Sequence, residues 1–165
     1  MLVCAMNPCK CGNFGSRNHT CTCSPKEIER YQSRVSGPLM DRIDIQVDVP
    51  SVDYADLSST KKGETSAEVR KRVNKARKIQ TERYAEIKGI NSNAQLTPGL
   101  LQKYCRLNPE ADALLKNAFD ALGLSARAHG KILKVARTIA DLAGEENIRA
   151  EHIAEAIQYR NMDRR

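Results

Sequence analysis

Ser36-Gly37-Pro38-Leu39-Met40-Asp41-Arg42-Ile43-Asp44 is the stretch on which the reading of this chain turns. On its N-terminal side, Gly37-Pro38 predicts the end of a helix, since glycine terminates one readily and proline cannot continue it. On its C-terminal side, Ile43-Asp44-Ile45-Gln46-Val47-Asp48-Val49 alternates apolar and polar residues up to Pro50. That alternation predicts a strand with one buried face, and Arg42 stands at the junction of the two elements. Further upstream, Leu2-Val3-Cys4-Ala5-Met6 is apolar at every position and stops at Asn7-Pro8. A short run of this kind reads as a strand buried on both faces, as in a parallel sheet covered by helices, and proline closes it.

Around these two strands the pattern is helical. Ser24-Pro25-Lys26-Glu27 is a capping box with proline in the first turn, and Ile28, Tyr31 and Val35 fall on one helical face. Residues 51–64 read as a loop. Thr65-Ser66-Ala67-Glu68 is a second capping box and predicts a long helix as far as Ile87, with Val69, Val73, Ala76, Ile79, Tyr84 and Ile87 near helical spacing. Gly89 ends it, and Asn91-Ser92-Asn93 is a polar linker. Thr97-Pro98 opens a short helix toward Tyr104, Asn108-Pro109 opens one that stops at Gly123, and Ser125 caps a third that runs to Gly144. Residues 149–160 give a fourth, and four short helices joined by tight turns make a small bundle. The expected class is an α/β fragment, predominantly α-helical, in three parts: 1–50 with the two parallel strands, 51–95 as a helical insertion or linker, and 96–165 as a helical lid.

Composition narrows the function classes. At 165 residues the chain suffices for one domain or slightly more. No apolar run approaches a bilayer-spanning length, so no membrane partner is expected, and the opening residues do not read as a secretory signal. Cys4, Cys9, Cys11, Cys21 and Cys23 crowd into the start of the chain and Cys105 stands alone. A secreted disulfide scaffold would spread its cysteines, so a reducing, cytoplasmic setting is expected. The net charge of +7 permits an acidic partner such as a nucleic acid without demanding one. No Gly-x-x-x-x-Gly-Lys-Ser/Thr phosphate loop occurs in the sequence.

Three phrases carry a resemblance: Ala5-Met6-Asn7-Pro8-Cys9-Lys10-Cys11-Gly12, the run Arg30 to Asp44 containing Ser36-Gly37-Pro38-Leu39-Met40-Asp41-Arg42, and Ile132-Leu133-Lys134-Val135-Ala136-Arg137-Thr138-Ile139-Ala140-Asp141-Leu142. Through them the chain resembles the C-terminal portion of the Mg-chelatase-like branch of the AAA+ ATPases, of the ComM/YifB type, over nearly its full length. The resemblance implies the C-terminal part of an AAA+ module, with the Walker A and Walker B segments upstream of Met1. It implies a parent that binds ATP and Mg²⁺, assembles as a hexameric ring and acts on DNA as a branch-migration or helicase-like motor in competence. This chain alone would then lack ATPase activity. A magnesium-chelatase motor subunit and a small zinc-stabilised nucleic-acid-binding module are the alternatives.

The same resemblance gives three residues roles. Asn7 matches sensor 1, a neutral amide at a strand end that orients the attacking water or touches the γ-phosphate; on the residues alone, Asn-Pro is equally a turn signal. Arg42 matches the arginine finger that reaches a neighbouring subunit's nucleotide, with Arg34 as runner-up and a local pair with Asp41 or Asp44 as the structural alternative. Arg127, in the first turn of a helix capped by Ser125, matches sensor 2, with Lys131 and Lys134 extending a basic face; it is otherwise a solvated arginine.

Two further features stand on the residues themselves. Cys9-x-Cys11 and Cys21-x-Cys23 could close a structural tetrathiolate zinc site, with His19 as a substitute ligand. The single residue between paired ligands is tighter than zinc ribbons usually have, and reduced, unligated thiols are the alternative. Arg70-Lys71-Arg72, Lys75, Arg77 and Lys78 make one helix strongly basic, which reads first as a solvated face and second as a contact for DNA phosphates.

Overall fold

The structure is a computed structural model that describes residues 1–52, 54, 58 and 63–160. The chain divides into two units, Met1–Arg42 with Val47–Lys61, and Ile43–Gln46 with Lys62–Arg165.

The first unit has two described helices. Helix α1 (Pro25–Gln32) is capped as its sequence dictates: Ser24 Oγ accepts the Glu27 N–H, and the Glu27 carboxylate accepts the Ser24 N–H at 2.9 Å. It ends at Ser33, and the chain turns through Ser36 into α2 (Gly37–Met40). Gly37-Pro38 therefore opens a short helix as well as separating it from the first, because the fixed φ of proline suits a first turn. Ile28, Tyr31 and Val35 are half-buried, but Val35 lies past the end of α1 and so does not share its helical face. Among the described residues of this unit only Cys9 is buried.

The two expected strands are not present as sheet. Among the described residues the sole β-type pairing is an isolated bridge between Leu107 and Ile148. Residues 2–6 have no regular structure, and Leu2 and Val3 are 71% and 80% exposed. A strand exists by its ladder to a neighbour, and among the described residues none lies alongside. Residues 43–49 depart further from expectation. Ile45, Val47 and Val49 are exposed while Gln46, on the polar side of the alternation, is buried. The hydrogen bonds of this segment go to a helix end instead: Gln46 N–H donates to the Tyr159 carbonyl at 2.8 Å, and Arg160 Nη1 donates to the Ile43 carbonyl at 3.0 Å.

The second unit is a helical bundle. Its members are α3 (Ser66–Arg83), a 3₁₀ turn (Asn93–Gln95), α4 (Pro98–Tyr104), α5 (Pro109–Leu122), α6 (Ala126–Ala143) and α7 (Ala150–Gln158). The Thr65 capping box opens α3 as expected, but the helix stops at Arg83 rather than at Ile87. Asn108 and Ser125 cap α5 and α6 by accepting the Ala111 and Ala128 N–H groups. Both helices close on glycines in the left-handed region, Gly123 at φ 59° and Gly144 at φ 78°.

Helix α6 is the axis of this unit and packs against α7, α3, α4 and the 3₁₀ turn. Its apolar stripe Ala128, Ile132, Leu133, Ala136 and Ala140 is buried, joined by Leu115, Ile148, Ile153 and Ala156. Only the C-terminal half of α3 enters the core, through Ala76 and Gln80 and then Tyr84, whereas Val69 and Val73 remain exposed. The core has a polar centre. Asp141 has a fully buried side chain and accepts hydrogen bonds from Arg83, from Asn93 Nδ2 at 2.8 Å and from Arg137 Nε at 3.2 Å. Arg137 spends its remaining N–H groups on the Glu145 and Glu146 carbonyls. Asn93 accepts the Tyr84 hydroxyl at 2.7 Å and takes the Gln80 side-chain oxygen on its own N–H. Every charge in this cluster is paired, which is the condition for burying it.

Candidate functional site

Asn7 lies in the first unit, exposed, immediately before the buried turn at Cys9. Gln32 Nε2, at the end of α1, donates to the Pro8 carbonyl at 3.1 Å. Gly12, at φ 84°, folds back so that a Cβ there would sit 3.9 Å from the Asn7 amide. Gln32 was not legible beforehand as a donor to the Pro8 carbonyl, because a single glutamine on a polar helix face carries no pattern.

Arg42 is exposed and sits two residues beyond the end of α2. Its Nη1 donates to the Pro38 carbonyl at 3.1 Å, the familiar use of an arginine at a helix C-terminus. Of the two carboxylates offered as its local partners, Asp44 pairs with Lys131 at 2.9 Å. Arg34, the runner-up, lies 5.8 Å from the centre of the Tyr31 ring.

Arg127 belongs to the second unit. It occupies the first turn of α6, exposed, next to the Ser125 cap. That turn borders a shallow groove of about 370 Å³ lined by Asp112, Leu115, Lys116, Phe119, Ala126 and His129. The two lysines expected to extend a basic face along α6 both have partners. Lys131 is held by Asp44, and Lys134 Nζ donates to the Ala94 carbonyl at 2.9 Å. Both ammonium groups are engaged within the unit.

Cys9, Cys11, Cys21 and Cys23 are brought together, with all four sulfurs within 4.8 Å of one another. The separations are 3.4 Å for Cys9–Cys11, 3.8 Å for Cys9–Cys21 and 3.6 Å for Cys11–Cys21. The Phe14 N–H also donates to Cys9 Sγ at 3.3 Å. His19 is exposed, and the group is made by the four sulfurs. All six cysteines of the chain are free thiols. The cluster is electrostatically uneven. The N–H groups of Asn13 and Thr22, then the Cys9 thiol, bring Cys11 down to about 5. For Cys21, the Cys23 N–H pulls downward, but desolvation and the Cys11 and Cys9 sulfurs outweigh it and push the thiol up to about 12. Cys23 is raised likewise, its Cys11 N–H contact outweighed by desolvation and the same two sulfurs.

The basic run on α3 is exposed from Arg70 to Lys75 and at Arg77 and Lys78. Arg72 pairs with Glu64, and Lys78 lies 3.8 Å from Glu82. No described helix is long and apolar enough to cross a membrane.

Both parts of the chain match family models, residues 1–57 that of the magnesium chelatase subunit ChlI and residues 63–160 that of the magnesium chelatase subunit ChlI C-terminal region. The chain belongs to this Mg-chelatase-like family. It is 46% identical over 165 residues to competence protein ComM of Haemophilus influenzae, covering 99% of this chain and 31% of that protein. It is 40% and 39% identical over 164 residues to proteins named YifB of Salmonella typhimurium and Escherichia coli, again covering 99% of this chain and 31% of each. The chain therefore spans under a third of the length of these homologues.

Proposed function

We propose that this chain is the trigger-side segment of an ATP-driven AAA+ ring motor that acts on DNA. Asn7 serves as sensor 1, Arg42 as the arginine finger toward a neighbouring subunit, and Arg127 as sensor 2. The observation that carries the proposal is Arg42. In a chain of this family, an exposed guanidinium stands two residues beyond the end of a short helix, where its Nη1 donates to the Pro38 carbonyl. A planar cation so placed can swing onto a transferring phosphoryl group and neutralise charge that builds there. Arg127 adds a fork of N–H donors beside a capped helix N-terminus, where phosphate oxygens are favoured. ATP and Mg²⁺ would be gripped chiefly by residues outside this sequence, and when bound they supply the phosphoanhydride and the bridging cation. What this chain contributes is one neutral amide and two guanidinium groups.

The DNA assignment is supported by the name of the Haemophilus influenzae relative, a competence protein, and by the exposed cations of α3. Any contact through them would be to phosphates and would weaken steeply with salt. The family name favours a second reading, in which the partner is a metal-inserting enzyme rather than DNA.

The test uses the full-length parent. Arg42→Ala should lower ATP turnover by about 10³-fold or more, and mixing it with wild-type subunits should poison the ring. Unchanged turnover in Arg42→Ala would overturn the trans-arginine role. Salt-sensitive binding of branched DNA by the parent separates the two readings of its partner.

A further inference from the structure

The geometry points to a mononuclear zinc site formed by Cys9, Cys11, Cys21 and Cys23, which pins the turn that follows Asn7. A tetrahedral ion with metal–sulfur bonds of about 2.3 Å holds its four sulfurs about 3.8 Å apart. The three separations given above, 3.4, 3.6 and 3.8 Å, lie at or just inside that spacing. A multi-iron cluster would place several metals between the thiolates and spread them further, so the spacing selects one ion. Four soft thiolates in tetrahedral array select zinc among the divalent ions, and with every corner filled by protein the site is structural.

A second observation is independent of the sulfurs. The described residues of this unit bury only Cys9, and its two described helices have no buried residue of their own. Small units without an apolar core are held by a metal or by disulfides, and these cysteines are free.

The loop architecture suits this role. Gly12 and Gly15 adopt φ 84° and 78°, turning the chain between the paired ligands at no steric cost. The Gly12 N–H donates to the Cys9 carbonyl at 3.1 Å, and the Phe14 N–H to the Cys9 sulfur. Backbone N–H groups aimed at a ligand sulfur stabilise its thiolate form. Zn²⁺ accepts a lone pair from each sulfur, the thiols that are still protonated release H⁺ to solvent, and no electron changes hands. Because Asn7 and Pro8 directly precede the first ligand, the metal fixes where that amide stands; this last point rests on the sensor reading of Asn7, whereas the site itself does not.

The test is made on the 165-residue chain, purified under reducing conditions without chelator. Elemental analysis should find stoichiometric zinc, and replacement by Co²⁺ should give the ligand-field and charge-transfer bands of a tetrahedral tetrathiolate. Zinc should slow hydrogen exchange at the Gly12 and Phe14 amides. Cys9→Ser combined with Cys21→Ser should abolish metal retention while far-UV circular dichroism shows the helices of the second unit intact. The site would be overturned by cobalt spectra without thiolate bands, by iron in place of zinc, or by four thiols that react freely in excess zinc. None of these readouts involves nucleotide, so failure of the motor reading would leave this result standing.

Discussion

Arg83, the last residue of α3, donates from Nη1 to Asp141 of α6 at 2.9 Å, across 58 positions of sequence. The contact joins the basic helix to the rest of the bundle through a carboxylate with no exposed side-chain surface. The N-terminal half of α3 runs out from the core with Val69 and Val73 exposed, so this ion pair and its neighbours anchor the whole helix.

Asp141→Ala should therefore be severe. It leaves Arg137 and Arg83 facing each other without their shared anion, a loss of about 3–5 kcal/mol. Chemical denaturation of the second unit followed by circular dichroism measures it. Arg72→Ala, which breaks the exposed pair with Glu64, should cost under about 1 kcal/mol in the same assay.

Tyr84→Phe isolates one bond of the same network. The hydroxyl donates to Asn93 Oδ1 at 2.7 Å in a buried setting, and its ring packs edge-on against Tyr104 with centroids 5.1 Å apart. Phenylalanine keeps the ring contact and removes the donor, so about 1–3 kcal/mol should be lost. An equal loss in an Asn93→Ala background would show that the bond is not the cause.

Gly123→Ala and Gly144→Ala probe the helix ends. At φ 59° and 78° a Cβ is disfavoured by about 1–2 kcal/mol. Nothing lies within 4 Å of a Cβ built at Gly123, so its cost should be conformational alone. Gly130→Ala, in mid-helix, should instead be neutral or slightly stabilising by helix propensity. Thermal unfolding of the three variants tests the contrast.

Glu68 supplies a pH signature. The Thr65 N–H, followed by the Thr65 hydroxyl, holds its carboxyl below the ordinary value of 4.5. A carboxylate whose folded pKa is depressed stabilises the helix start above its unfolded pKa, and that stabilisation is lost as pH falls through the folded value. Fraying of residues 65–68 should therefore begin only below the usual glutamate range, with carboxyl-detected NMR following Glu68 itself. Glu68→Gln should remove the pH dependence at this end of α3 while leaving the cap at Ser24 unchanged.

The helices were legible because their signals are local. Thr65 with Glu68, Asn108 with Pro109 and Ser125 with Gly144 each specify a start or stop within a few residues, and the structure honours each. The strands were not legible, because alternation states what a segment could bury and not whether a partner is there: along 43–49 it is Gln46 that is inside and Val47 that is out. The cysteine quartet could be suspected from spacing, but its convergence depends on turns at Gly12 and Gly15. The Arg137–Asp141 pair had a readable cue in its i, i+4 spacing. Its link to Arg83 had none, since only folding brings residues so far apart together.

Arg160 sets a practical limit for anyone trimming this protein. Its guanidinium grips the Ile43 carbonyl while the preceding Tyr159 carbonyl receives Gln46. A recombinant version cut just after α7 would keep every helix of the bundle yet release the peptide that leads out of Arg42. A defect in such a truncated protein should accordingly be traced to that unfastened segment before it is blamed on the bundle.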